Sequence, residues 1–226
     1  MPFVEASSSS LAVFSVIVLS VIAMIAWMVA HAYESRTAGA WVLAGFALWL
    51  GAQAALISSG SMERLPLSGF PLFFGSVLLF SVALGVSPVG TRVAATTPMA
   101  MLVGFAAFRL PLELVLHSWA NQGTIPDTMT WTGQNFDIVS GIVALVAAPF
   151  ADRSRSAAWI ANVVGTVLLL NVMRVAVFSL PLPFGWHLAT PLLVALHLPY
   201  AFIGPVCVGG ALFGHIVLTR RLLYEA

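Results

Sequence analysis

Arg109, Glu113, Asp137 and Arg174 interrupt stretches of chain that are otherwise apolar enough to lie in lipid. A charge inside a bilayer costs at least ~2.5 kcal/mol even on the lenient insertion scale, so it persists where it is paired or faces a cavity. Arg109, Glu113 and His117 are spaced i, i+4, i+8 and form one polar stripe on a helix. Pro111 lies within the stripe, frees the carbonyl near residue 107 and bends the helix there. Asn171 and Arg174, spaced i, i+3, share a face of a second helix; Asn135 and Asp137 open a third, and His197 opens a fourth. The arginines can hold an anionic group, while Glu113, Asp137 and His117 balance charge or relay protons. Glu113 or His117 could instead act as a general base, and Glu113, His117, Asp137 and His197 are of metal-ligating type. No HExxH, G-x-S-x-G or Gly-rich phosphate motif accompanies them, so no metal set or nucleophile is assigned.

Composition names the elements that must hold these groups. The 226-residue chain is 60% hydrophobic and 8% charged, with a net charge of +1. Such a chain belongs in a membrane. A transmembrane helix needs about 20 apolar residues. Seven candidate runs occur, at 11–31, 39–58, 67–87, 96–117, 136–151, 157–179 and 198–219. They are continuous, whereas the strands of a membrane barrel alternate over about 10 residues. The expected fold is all-α, a polytopic transmembrane bundle of about seven helices in one domain over 1–226. Ala30-His31-Ala32 has a small-x-small form, but Met1 to Glu5 carries no positive charge and the run is long for a signal peptide, so it reads as a retained helix.

All nine basic residues are arginine, so no lysine is present to carry retinal or pyridoxal phosphate. The lone Cys207 excludes an intrachain disulfide and a Cys-rich metal site. No basic tract attracts nucleic acid. No internal repeat supports an inverted-repeat transporter.

The connections alternate between two sides of the membrane. One side receives Arg36, Arg92, Arg153, Arg155, Arg220 and Arg221, and the other only Arg64. The positive-inside rule makes the first side cytoplasmic, with the N-terminus outside and the C-terminus inside. The polar residues then fall at one depth in the outer leaflet. A polar chamber reached from the periplasm is expected there, covered by residues 118–135 and 180–197. Its ligand-binding residues are Arg109, Glu113, His117, Asn135, Asp137, Asn171, Arg174 and His197. Glu113 is expected to pair with Arg109 or Arg174, and Asp137 with an arginine or His117. The competing reading is two neutralising pairs that only fix helix register.

Trp119 and Trp131 suit an interfacial aromatic belt. Pro181, Pro183 and Pro191 exclude a regular helix over the first half of 180–197, and 191–197 suits a short interfacial or re-entrant piece. Gly210 and Gly214 allow close helix approach within the chain, and Ser7–Ser10 reads as a loose terminus. His31 and His215 belong near the cytoplasmic ends of their helices. His197 and His215, 18 residues apart, share an ideal helix face, so with His31 and His117 they allow two bis-histidine haem sites. Pro199 and Pro205 interrupt that register.

Phe108-Arg109-Leu110-Pro111-Leu112-Glu113-Leu114-Val115-Leu116-His117, followed by Met129-Thr130-Trp131-Thr132-Gly133-Gln134-Asn135-Phe136-Asp137-Ile138, resembles functionally unassigned bacterial polytopic inner-membrane proteins. The resemblance implies a bacterial inner membrane and carries no activity. The leading expectation is binding or transport of a small polar or amphiphilic molecule at the periplasm-facing cavity. Its alternatives are an intramembrane hydrolase or transferase, metal-dependent or not, an accessory subunit of a membrane complex, and a b-type haem protein. The expected partners are the lipid bilayer, a small-molecule ligand and other membrane proteins.

Overall fold

The structure, a computed structural model, describes residues 3–64 and 66–224. Its helices are α1 (Ser8–Ala32), α2 (Arg36–Ser58), α3 (Ser61–Arg64), α4 (Pro66–Val86), α5 (Pro88–Thr96), α6 (Met99–Gly104), α7 (Arg109–Asn121), α8 (Ile138–Ala151), α9 (Arg155–Ser179) and α10 (Gly209–Tyr224). Four of them, α1, α2, α5 and α9, begin behind a serine whose side chain accepts a backbone N–H of the first turn. Ser7 is one of these caps. Ser10, in the first turn, is buried and accepts a hydrogen bond from Trp119 Nε1 at 3.1 Å. Ser7–Ser10 is therefore an ordered helix start, not a loose terminus. Trp119 is core packing against Phe14 and Tyr200 and not part of an interfacial belt.

Six helical stretches are long and apolar enough to cross a membrane: Ser8–Ala32, Arg36–Ser58, Gly69–Val86, Met99–Asn121, Arg155–Ser179 and Tyr200–Tyr224. By helix composition the chain is a multi-pass membrane protein. Lipid-facing side chains such as Trp41, Leu48 and Leu79 stand exposed, as a bilayer requires. Of the seven expected runs, six hold such a stretch. The run at 136–151 yields α8, whose 14 residues span only about 21 Å against a hydrocarbon core of about 30 Å.

Prolines shape two of the crossings. Within Met99–Asn121 the α-helix gives way to a 3-10 turn at Phe105–Phe108. Pro111 lacks the N–H that would bond the carbonyl of residue 107, so the loosening falls where the sequence placed it. In the last crossing Pro199 and Pro205 leave a 3-10 turn at Tyr200–Ile203 and a π turn at Gly204–Val208, and regular helix begins only at Gly209.

One end of the bundle is laced by arginine. Arg92 Nε donates to Ala32 O at 2.8 Å, Arg220 Nη1 to Gly85 O at 2.8 Å, and Arg155 Nη2 to Leu222 O at 2.5 Å. Both α8 and α10 finish at this end, and both are too short to reach the other. Irregular chain at 122–137 and 180–208 folds into the space they leave. Non-helical backbone at membrane depth is tolerated where protein buries it. The site lies in this region.

Central α10 packs against α1, α4, α5, α6 and α9. Its Gly210 and Gly214 make that approach possible. A Cβ at Gly214 would stand 2.6 Å from Phe105 Cδ1, and one at Gly210 2.9 Å from Val21 Cγ1. Their spacing serves packing within the chain, as expected. Gly141 does the same between α8 and α7, where a Cβ would stand 2.5 Å from the Leu110 backbone nitrogen. Backbone cannot yield as a side chain can. Gly141→Ala should therefore destabilise the bundle by ~1–3 kcal/mol, lowering the thermal midpoint in detergent. Gly45→Ala, where a Cβ meets nothing within 4 Å, should leave the midpoint unchanged or raise it.

Candidate functional site

Arg109 sits where four helices meet. It is 1% exposed and opens α7 directly after the 3-10 turn. Its Nε donates to Asp137 Oδ2 at 2.6 Å, and its Nη2 lies 2.5 Å from Asp137 Oδ1, a forked ion pair with the residue that precedes α8. Nη1 donates to Gly165 O of α9 at 2.9 Å and to His215 Nε2 of α10 at 3.2 Å. Because a guanidinium only donates, Nε2 must accept, so the His215 proton rests on Nδ1. That proton is donated to Asn162 Oδ1 at 3.0 Å. Asn162 Nδ2 in turn donates to Thr219 Oγ1, whose hydroxyl donates to His215 O, each at 2.7 Å. Gly165 is required for this convergence, because a Cβ there would stand 2.3 Å from His215 Cε1.

Glu113 lies one turn beyond Arg109 and is also 1% exposed. Among the described residues it forms no ion pair, which corrects the expected salt bridge to Arg109 or Arg174. Asn135 supports it instead. Asn135 Nδ2 donates to Glu113 Oε1 at 2.8 Å and to Met129 O at 3.1 Å, while its Oδ1 accepts the Asp137 N–H at 3.1 Å. Ser140 Oγ adds a hydrogen bond to Asp137 Oδ1 at 2.9 Å. Every hydrogen-bonding group of the Asn135 side chain is thus used. Glu113 Oε2 is buried and has no partner among the described residues.

A cavity of about 120 Å³ adjoins Arg109, Glu113 and Asp137. Apolar side chains line most of it, among them Phe73, Leu112, Leu169 and Val172; Cys207 is the remaining ionisable neighbour. The expected polar chamber is therefore an apolar cavity with polar groups only at one place. The two loops do cover it. Ile125 and Met129 come from the first and Leu192, Val194 and Ala195 from the second. The loops are tied to the end of α9, where Ser179 O accepts from Leu192 N and Ser179 Oγ bonds Thr128 Oγ1. Pro191–His197 thus forms a partly buried roof segment, with Leu192, Val194 and Ala195 turned inward and a 3-10 turn at Val194–Leu196.

The other predicted residues lie apart from the cavity. Arg174 is exposed, reaches Asn171 Oδ1 at 3.0 Å and Gln134 Oε1 at 3.4 Å, and lies over the Trp186 ring at 5.7 Å. Among the described residues it pairs with no carboxylate, so it is not the partner expected for Glu113. Asn171 Nδ2 donates to Gln134 O at 2.7 Å. His117 stacks on Trp131 at 4.2 Å and His197 on Phe3 at 3.9 Å.

His31 is exposed against Trp27. Both ring nitrogens of His215 are engaged, so it has none left to ligate haem iron. No cluster of three or more His, Cys, Asp or Glu residues suited to a metal occurs among the described residues. Asn162 was not singled out from the sequence, and His215 was expected near a helix end or as a haem ligand rather than in this site. The i, i+3 spacing of Asn162 and Gly165, facing the i, i+4 pair His215 and Thr219, was the available signal.

Arg109→Met would strand the Asp137 carboxylate in the bundle interior. It should cost ~3–5 kcal/mol, as removal of one partner of a buried pair does. Arg174→Ala should stay within ~0.5 kcal/mol of the parent, as surface changes do. Replacing the pair together, as Arg109→Met with Asp137→Leu, should recover part of the loss. Chemical unfolding in mixed micelles measures all three. No protein-family model, curated protein or solved structure matches the chain, so the site is read from its own chemistry.

Proposed function

We propose that this membrane protein binds or moves a small amphiphile whose apolar part fills the cavity and whose polar head donates a hydrogen bond to Glu113 Oε2. The observation that carries this reading is a buried carboxyl oxygen without a partner among the described residues, on a residue that lines an apolar cavity. Leaving a buried acceptor unsatisfied costs ~1–3 kcal/mol, more for a charged group. A donor brought by a ligand removes that cost. The cavity, about 120 Å³, approaches the ~150 Å³ of an apolar cavity that stays dry and admits benzene.

The charge arrangement selects the head group. Asp137 already neutralises Arg109, and Arg174 lies outside the cavity. An anionic head would meet Glu113 with no free cation to hold it. A hydroxyl or amine is favoured instead, which changes the sequence reading in which the arginines bind an anion. Asn135 positions Glu113, and Arg109 with Asp137 builds the wall beside it. His117, Asn171, Arg174 and His197 belong to the loop end beyond. The arginine asymmetry supports a reading in which that end faces the periplasm of a bacterial inner membrane.

Thermal unfolding of the purified protein tests the binding reading. 1-Decanol and decylamine should raise the midpoint by several degrees, as occupancy near 100 Kd contributes ~2.7 kcal/mol. Decane should raise it less and decanoate least. Glu113→Leu should remain folded and lose the preference for decanol over decane. Equal stabilisation by decanol and decane in the parent protein would sink the proposal. Orientation is tested separately: a reporter active only in the cytoplasm, fused after Ala226, should be active, and silence there would reverse the topology.

A further inference from the structure

The cavity is lined by buried side chains under the loops and by half-buried ones along α4 and α9. Its loop-side lining, Ile125, Met129, Leu192, Val194 and Ala195, is buried throughout. Its half-buried lining is Phe74 and Leu78 on α4, Met173, Ala176 and Val177 on α9, and Ile203 and Val208 in the turns that lead into α10. Both helices pack on α10, the helix that joins them across the floor of the cavity. Beside this seam the same two helices present apolar, bilayer-exposed faces, Leu79 on α4 and Leu170 on α9. A molecule reaching Glu113 through the seam therefore comes from hydrocarbon, not from water.

We infer that the occupant is a single-chain lipid with a hydroxyl or amine head, drawn sideways from the bilayer between α4 and α9. The inference rests on the Glu113-centred binding reading above and adds the source and class of the ligand. A cavity of about 120 Å³ holds the head and the first carbons. The rest of the chain lies in the seam and continues into the membrane. A diacyl phospholipid does not fit this arrangement. Its second chain has no groove, and its phosphate would approach Glu113 and Asp137. A water-soluble ligand would have to displace the roof, which is fastened at Ser179 from both loops.

The test uses the full chain in phosphatidylcholine vesicles that contain 1-hexadecanol carrying a diazirine partway along its chain. After illumination, labelled residues are mapped by mass spectrometry, with and without unlabelled 1-hexadecanol. Labelling of Phe74, Leu78, Met173 and Val177 should fall about tenfold with competitor, the signature of a saturable site. Labelling of Leu79 and Leu170 should not respond. Leu78→Trp combined with Met173→Trp should abolish the competed labelling, and Leu79→Trp should leave it intact.

Competed labelling confined to Ile125 and Leu192 would overturn lateral entry. If decanol still stabilised the purified protein, the binding reading would survive that result. Competed labelling nowhere, with no selective stabilisation by decanol, would overturn both.

Discussion

The Arg109–Asp137 ion pair is the contact on which the arrangement of the bundle depends. Its guanidinium joins α7 to the start of α8, to the backbone of α9 and to His215 on α10. In a low-dielectric interior such a hub is stable only when nearly every donor has a partner. That requirement accounts for residues that otherwise look unrelated. Gly165 has no side chain because His215 and Arg109 occupy its place. The first turn of α8 supplies Ser140 to the Asp137 carboxylate. The amide of Asn162 locks the imidazole in the one tautomer that can accept from arginine.

Glu113 is one turn from this hub and is treated differently. Its Oε1 has Asn135, its Oε2 has no partner among the described residues, and an apolar space begins beside it. A structure evolved only to neutralise charge would need Arg109 and Asp137 alone. The second carboxyl adds a desolvation cost that the single hydrogen bond from Asn135 offsets at one oxygen only. A ligand donor is the simplest partner for it. The two shortened helices, α8 and α10, provide the room, and the loops that replace their missing turns exclude water from above.

Much of this was legible in the sequence. The apolar runs marked every crossing, because a membrane span needs length and little else. The i, i+4 spacing put Arg109 and Glu113 on one face, and Pro111 marked the loosened turn ahead of them. Arg174 was misplaced because depth was counted along the run 157–179, although it stands only five residues from Ser179 and can point outward to the loop end. His215 was misplaced for a related reason. An ideal helix over 198–219 puts it near the membrane surface, but α10 runs on to Tyr224 and leaves His215 buried within the bundle. Trp119 shows the limit of composition. Interfacial and core tryptophans look alike until the partner of the indole N–H, here Ser10, is known. That one carboxyl oxygen would be left over could not be read from spacing, since it depends on where Asn135 spends its own hydrogen bonds.

The central claim is that Glu113 itself meets the ligand head. Infrared difference spectroscopy of the protein with and without 1-decanol observes that carboxyl directly. The account predicts a carboxyl-region difference band on adding decanol that disappears in Glu113→Gln while the protein remains folded. The same band in the parent and in Glu113→Gln, or binding of decanol that leaves the carboxyl region unchanged, would contradict it.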